Sequence, residues 1–230
     1  CPKLKPEIAR LFPDSFEDSE LGEIPKGWRV QSFTDAVEVI GGGTPKTSVP
    51  EFWGGEIPWF SVVDTPAPGD VFVISTEKTI TAEGVNNSSA RVLPVGTTII
   101  SARGTVGNLA LVGVPMAMNQ SCYGLHPRHG HRGYYLYFAT SALVEILRQR
   151  AHGSVFSTIT RETLNGTQVV APPSDLIGAF EAVGSGQLER ILANQRQSRA
   201  LAAIRDALLP KLISGELRIP DAERIAARCA

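Results

Sequence analysis

Leu93-Pro94-Val95-Gly96-Thr97-Thr98-Ile99-Ile100-Ser101, then Ala102-Arg103-Gly104-Thr105-Val106-Gly107, then Asn108-Leu109-Ala110-Leu111-Val112, is the stretch whose reading decides the fold. Two short apolar runs, Thr97–Ser101 and Leu109–Val112, flank a turn built on glycines, the pattern of strand, turn and strand. Working outward, glycine and proline punctuate similar runs at Val37–Ile40, Ile57–Val63 and Val71–Ile74, and Thr76–Thr81 is rich in β-branched residues. One helix interrupts the strands, from about Gly133 to Ala151. There Tyr134, Tyr137, Phe138, Leu143, Val144 and Leu147 recur at helical spacing, with Glu145, Arg148 and Arg150 between them. Residues 154–170 read as loop, turn and strand, closed by Pro172-Pro173.

Two flanking regions differ in character. Residues 1–27 form a lead-in: a short helix, Glu7 to Phe12, stopped by Pro13, then an acidic polar stretch and a turn at Ile24-Pro25-Lys26-Gly27. Beyond residue 173, Gly184-Ser185-Gly186 weakens the start of a helix that is free of glycine from Gln187 to Ile213. Leu188, Ile191, Leu201, Ile204, Leu208 and Leu212 form a narrow apolar stripe at helical spacing. Asn194, Gln195 and Ser198 make its middle polar, a pattern that sets register at the expense of stability. Gly215 is placed to end it. At about 1.5 Å per residue this helix spans roughly 40 Å. A stripe so narrow needs a partner helix; the alternative is a helix packed back on its own domain. The expected organisation is a lead-in over 1–27, a strand-rich domain over 28–173, a helical region over 174–216 and a tail over 217–230. The fold class is mixed, α/β in the α+β sense.

Composition excludes several classes. With 43% hydrophobic and 20% charged residues, the chain is not wholly disordered. No run approaches the roughly 20 apolar residues that span a bilayer, and the first residues lack the apolar core of a signal peptide. A cytoplasmic protein with no membrane partner is expected. Cys1, Cys122 and Cys229 are far apart, so neither a zinc ribbon nor a disulfide framework is supported. The initial Cys points to a piece of something longer.

Net charge is −1, yet its distribution is uneven. Residues 31–90 carry 2 basic and 8 acidic side chains, whereas residues 91–175 carry 7 basic and 3 acidic, every basic one an arginine. Arginine suits bidentate contact with phosphate or guanine; a solvated face is the plainer account.

The search for chemistry finds little. Gly41-Gly42-Gly43-Thr44-Pro45-Lys46-Thr47 fails the phosphate-loop spacing, because Pro45 stands where glycine is required. A tight turn exposing Lys46 and Thr47 is expected, able to meet DNA phosphates, with Trp59 packed beneath it. Arg103 projects from a turn with two glycines, which is either a close-approach site or a plain hairpin turn. Asn119 and Gln120 are amides of the kind that pair with adenine, although buried amides that tie loops together are as common. His126, His129 and His131 have no helical ligand spacing and no carboxylate nearby, so no metal is expected. Ser154, Ser157, Thr158 and Thr160 lie in no nucleophile elbow. No general acid–base pair is evident, and Ala171-Pro172-Pro173-Ser174 lacks the amide and the aromatic of a base-methylating motif. No cofactor is expected, and the chain is read as non-catalytic.

Leu21-Gly22-Glu23-Ile24-Pro25-Lys26-Gly27-Trp28, Gly42-Gly43-Thr44-Pro45, Ile57-Pro58-Trp59, Leu93-Pro94-Val95-Gly96-Thr97, Ser101–Gly107, Asn119-Gln120 and Gly153-Ser154 occur in this order. Together with the ending Leu201–Leu217, this series resembles the specificity subunit of type I restriction-modification systems. Each motif alone is soft; their order and spacing carry the likeness over nearly the whole chain. The resemblance implies a DNA-reading target recognition domain followed by a long helix that pairs as an antiparallel coiled coil. It implies double-stranded DNA, methyltransferase (M) subunits and a restriction/motor (R) subunit as partners. A complete subunit of this kind usually holds two such domains. One domain and one helix here imply a half subunit or a fragment, completed through the helix by a second copy or the other half. Lys46, Thr47, Arg103, Asn119, Gln120 and Ser157 are then the candidates for base or phosphate contact. The competing class is a protein-interaction scaffold that assembles through the helix without touching DNA. A hydrolase is a third class, for which no nucleophile–base motif is present.

Overall fold

The computed structural model describes residues 4–67, 69–128, 133–150, 158–218 and 227. The chain divides into two compact units, Cys1–Ser185 and Gly186–Ala230.

The first unit is built on a sheet of five strands. In chain order they are β4 (Val37–Gly41), β6 (Phe72–Val73), β8 (Thr98–Ser101), β9 (Leu109–Val112) and β11 (Cys122–Pro127), numbered with the strands named below. Across the sheet the order is β4-β11-β8-β9-β6, antiparallel except for the parallel pair β6–β9. A second sheet has β5 (Trp53–Phe60) at its centre, parallel to β10 (Ala117–Met118) and antiparallel to β7 (Lys78–Ile80). Two further pairs complete the strands: the hairpin of β1 (Phe16–Ser19) with β2 (Gly22–Pro25), and β3 (Arg29–Ser32) with β12 (Gln168–Ala171). The β3–β12 pair brings the start and end of the strand-rich region together, and Phe33 N–H donates to the Thr167 carbonyl at 2.9 Å.

The helices of this unit are α1 (Pro6–Ala9), α2 (Ala82–Asn86), α3 (Tyr134–Arg150), α4 (Arg161–Asn165) and the start of α5 (Ser174–Ile213). One core joins α3 and α4 to one face of the five-stranded sheet, through Ile100, Leu125, Leu136, Leu143, Val144, Ile159 and Leu164. A second core lies on the other face, where Ile99, Ala110, Val112 and Cys122 meet Phe60, Met116 and Met118. The alternation of side chains along β8 sends Ile100 to one core and Ile99 to the other. All four residues of that strand are buried, which is why it reads as a continuous run and not as an apolar–polar alternation.

α5 begins thirteen residues before the glycine-free segment that the sequence picked out: Ser174, not Gln187, opens it. Gly178, Gly184 and Gly186 stand inside it, each weaker than alanine there by roughly 1 kcal/mol. Packing within the first unit supports this part. Leu176 is buried, Phe180 stacks edge-on against Tyr135 and Phe138, and Glu181 Oε1 accepts Tyr135 N–H at 2.9 Å. In the second unit, Leu188 and Leu192 are buried while Leu201, Leu209 and Ile213 are exposed, and Ile191, Ile204, Leu208 and Leu212 lie between these extremes. Gly215 at φ 76° ends the helix as expected, and Leu217 N–H turns back to the Lys211 carbonyl at 3.0 Å.

The buried double face of β8 predicts that Ile100→Ala destabilises the chain by roughly 2–5 kcal/mol. A denaturant titration followed by circular dichroism reads this as a lower midpoint with an unchanged slope.

Candidate nucleic-acid interface

The register of three neighbouring strands sets the site. Tyr123 pairs with Gly41 of β4 on one side and with Ile100 of β8 on the other, and Cys122 pairs with Ser101. β4 therefore ends, β11 begins and β8 ends at one edge of the sheet. Three connections leave from that edge: residues 42–47, residues 119–121 and residues 102–107. They carry Lys46 and Thr47, Asn119 and Gln120, and Arg103.

Hydrogen bonds chain these connections. Gly43 N–H donates to the Met118 carbonyl at 2.9 Å, and the Thr44 hydroxyl donates to Gln120 Oε1. Ala102 N–H donates to the Ser121 carbonyl at 2.8 Å. The Ala102 carbonyl accepts Ile159 N–H at 2.9 Å, and Arg103 forms a β-bridge with Thr158. At Gly42 a Cβ would lie 1.9 Å from the Asn119 carbonyl oxygen, so only glycine permits this approach of the two loops.

Two tryptophans support the first loop from below, and Trp59 takes the place expected of it. Its indole Nε1 donates to the Gly43 carbonyl at 2.9 Å in a buried contact. Trp53 Nε1 donates to the Lys46 carbonyl at 3.3 Å. The two rings meet edge to face, with centroids 5.1 Å apart. Lys46 and Thr47 are exposed above this platform.

The turn after β8 is held by Ser101, whose hydroxyl donates to the Thr105 carbonyl and accepts Asn108 N–H at 2.9 Å. It is a hairpin connection, and Arg103 on it is exposed. Asn119 is partly committed: its Oδ1 accepts Ser121 N–H at 3.0 Å, closing an Asx-type turn. Gln120 is exposed. Ser157 lies outside the described residues, as do His129 and His131. His126 pairs through Nδ1 with the Thr97 hydroxyl at 3.0 Å. No group of potential metal ligands occurs among the described residues.

The structure adds two cations to the sequence-derived candidates. Arg161, first residue of α4, lies over the Tyr123 ring with Cζ 5.7 Å from its centroid. Arg91 is exposed and follows Ala90, whose backbone N–H is in direct contact with Gly43, where a Cβ would come within 2.2 Å. Neither has a signal in sequence, because each depends on an approach between distant segments.

Cys122, next to Tyr123, is buried, and burial followed by the Asp64 charge pushes its thiol up to about 12. It stays protonated at neutral pH and is not a nucleophile.

Residues 25–176 match the family described as Type I restriction modification DNA specificity domain. The chain belongs to this family. The MjaIX specificity subunit of Methanocaldococcus jannaschii is 33% identical over 159 residues, covering 68% of this chain and 37% of that protein. The HindI specificity subunit of Haemophilus influenzae is 26% identical over 219 residues, covering 92% of this chain and 47% of that protein. Among solved structures, the HsdS subunit from Thermoanaerobacter tengcongensis aligns with a TM-score of 0.55 at 20% identity, over 91% of this chain and 49% of that one. The S subunit from M. genitalium aligns with a TM-score of 0.54 at 15% identity, over 81% and 46% respectively. These likenesses show the mixed fold, and the chain spans less than half the length of each of these relatives. No described helix is long and apolar enough to cross a membrane.

Two outcomes follow from the geometry. Trp59→Phe removes the indole donor and strands a buried carbonyl, so stability falls by about 1–3 kcal/mol in thermal or chemical unfolding. Cys122 in the folded chain resists alkylation by iodoacetamide at about pH 8, where an ordinary exposed thiol reacts, and is labelled once denaturant is added; mass spectrometry reads both states.

Proposed function

We propose that this chain is a non-catalytic DNA-reading module of a type I restriction-modification complex. It recognises one half of a bipartite target and directs partner methyltransferase and restriction subunits to it. The observation that carries this reading is the convergence of three connections at one sheet edge. They present Lys46, Thr47, Arg103 and Gln120 over a rigid base, in a domain of the DNA specificity family. Exposed loops on a fixed scaffold suit recognition, because the scaffold removes the entropy of ordering while the tips remain free to contact bases. Arg103, with five donors in a plane, fits the guanine edge, and Lys46 fits phosphate as a point charge. Gln120 keeps its amide NH2 for a base edge while its Oε1 accepts the Thr44 hydroxyl; Asn119, half engaged in its own turn, serves loop shape more than contact. Ser157 remains a candidate contact from the segment just before Thr158.

The domain boundaries proposed are a lead-in over 1–27, the recognition domain over 28–173, a helical spacer over 174–216 and a tail over 217–230. The spacer pairs with the same helix of a second copy or with that of the other half of a full subunit, as an antiparallel coiled coil. Exposed Leu201, with half-buried Ile191, Ile204, Leu208 and Leu212, supplies the seam, whereas Leu188 is already buried in the single chain and is not open to a partner helix. The scaffold reading shares this seam and differs only in lacking DNA contact.

Arg103→Ala is expected to weaken binding of the cognate duplex by roughly 1–3 kcal/mol and to relax sequence preference at one position. Lys46→Ala lowers affinity for all sequences alike. Fluorescence anisotropy over a salt series checks both, and binding of no duplex, even with methyltransferase present, leaves the scaffold reading. For the helix, Leu208→Glu places charge in the proposed seam. Sedimentation velocity should show the wild-type chain self-associating with rising concentration and the variant remaining a monomer; a wild-type chain that is strictly monomeric overturns self-pairing.

A further inference from the structure

We propose that Arg161, propped on Tyr123, clamps a backbone phosphate of the duplex beside the reading loops, a contact that rests on the DNA-reading function proposed above. The Arg161 guanidinium lies over the Tyr123 ring, and its Nη2 is 3.5 Å from the position of a Cβ built on Gly41. Tyr123 and Gly41 are partners in the β4–β11 ladder. The cation is therefore fixed at the sheet edge from which the three connections leave. Tyr123 packs against the core shared by α3, α4 and the sheet. Arg161 belongs to α4 and not to any of the three connections, and a cation outside the loop tips suits the sugar–phosphate rail better than the base edges those tips would reach.

Arg161 is exposed, and none of the ion pairs among the described residues includes it. The neighbouring Glu162 does not neutralise it in a bridge. That carboxyl is held below its ordinary range first by its own backbone N–H and then by the Thr160 hydroxyl, with the Arg161 charge contributing least. Thr160 caps the helix start by accepting Thr163 N–H at 3.1 Å, which fixes the backbone from which Arg161 projects. The ring contact uses none of the guanidinium N–H donors, and no described hydrogen bond or ion pair takes them, so they are available to meet two phosphate oxygens at once. The same backbone segment holds Thr158 against Arg103, so a single short stretch would position one reader and one clamp.

The test uses the full chain, a mixed-sequence duplex and a pool of randomised duplexes. Arg161→Ala is expected to weaken mixed-sequence binding about tenfold, in keeping with the loss of one charged contact. It should also lower the steepness of log K against log salt by about one between about 50 mM and about 200 mM. Arg161→Lys keeps the slope and loses part of the affinity. Tyr123→Leu keeps the slope and loses affinity, because the charge remains without its prop. Melting temperature confirms that each variant is folded. Wild-type binding with an unchanged slope in Arg161→Ala overturns the clamp while leaving the reading function intact. Loss of preference at one base position in the selected pool identifies Arg161 as a base reader and likewise overturns the clamp. Failure of the wild-type chain to bind any duplex at the lowest salt, alone or with a methyltransferase partner, removes the reading function itself.

Discussion

The burial of β8 on both faces is the constraint from which the rest of the molecule is derived. Ile99 and Ile100 point into different cores, so the strand has no solvent side and cannot slip by one residue without exchanging its two cores. Its neighbour β11 inherits that register, and β4 inherits it from β11. The alignment of the ends of β4, β11 and β8 is thus a result of core packing, not of the loops themselves. Side chains on three separate connections are gathered by a decision made in the apolar interior.

What lies just beneath those connections is as fixed as the core. A buried indole bonded to the Gly43 carbonyl, a second indole on the Lys46 carbonyl and a glycine at 42 that admits the 119 backbone leave the first loop few alternatives. The same order does not extend to the tips, where Lys46, Thr47 and Arg103 are exposed; Gln120 is exposed too but is tied to the first loop through the Thr44 hydroxyl. Precision underneath and freedom above are what a reader of variable sequences requires: side chains at the tips can change without disturbing a residue on which the sheet depends.

The runs at β8 and β9 are legible in the sequence because they bury a nearly continuous stretch, β4 because its apolar Val37, Val39 and Ile40 stand close together, and α3 because its buried face recurs at helical spacing. β11 is not, since Gly124, His126 and Pro127 dilute its apolar content although Cys122, Gly124 and Leu125 are buried. The β1–β2 hairpin was read as an acidic lead-in with a turn, because Phe16–Asp18 and Gly22–Glu23 are all exposed and no alternation betrays the strands. The helical region from residue 174 is legible, but its first part is a weak signal because glycines lower propensity, while the contacts that offset them, Phe180 with Tyr135 and Phe138, join distant parts of the chain. The same limit hid Arg161. Composition can say that residues 91–175 are rich in arginine, but only the fold says which arginine stands on an aromatic ring beside the loops.

The uneven charge of the chain takes on a physical meaning once the acidic groups are located. Two carboxylates of the acidic segment are turned to backbone donors. Asp35 accepts Ser32 N–H at 3.1 Å, and Asp64 accepts Ser61 N–H at 2.8 Å and Glu77 N–H at 2.6 Å. These groups hold single helical turns and are not ion-paired with any arginine among the described residues. Lys46, Arg103 and Arg161 meet no carboxylate at ion-pair distance among the described residues. At physiological salt, charges further apart than about 8 Å are largely screened from one another. A net charge of −1 summed over the whole chain therefore says little about the field at this edge, which is set by the unpaired cations nearest to it. A polyanion approaching the loops would meet that local field, and the acidity elsewhere would act mainly on solubility and on approach from other directions.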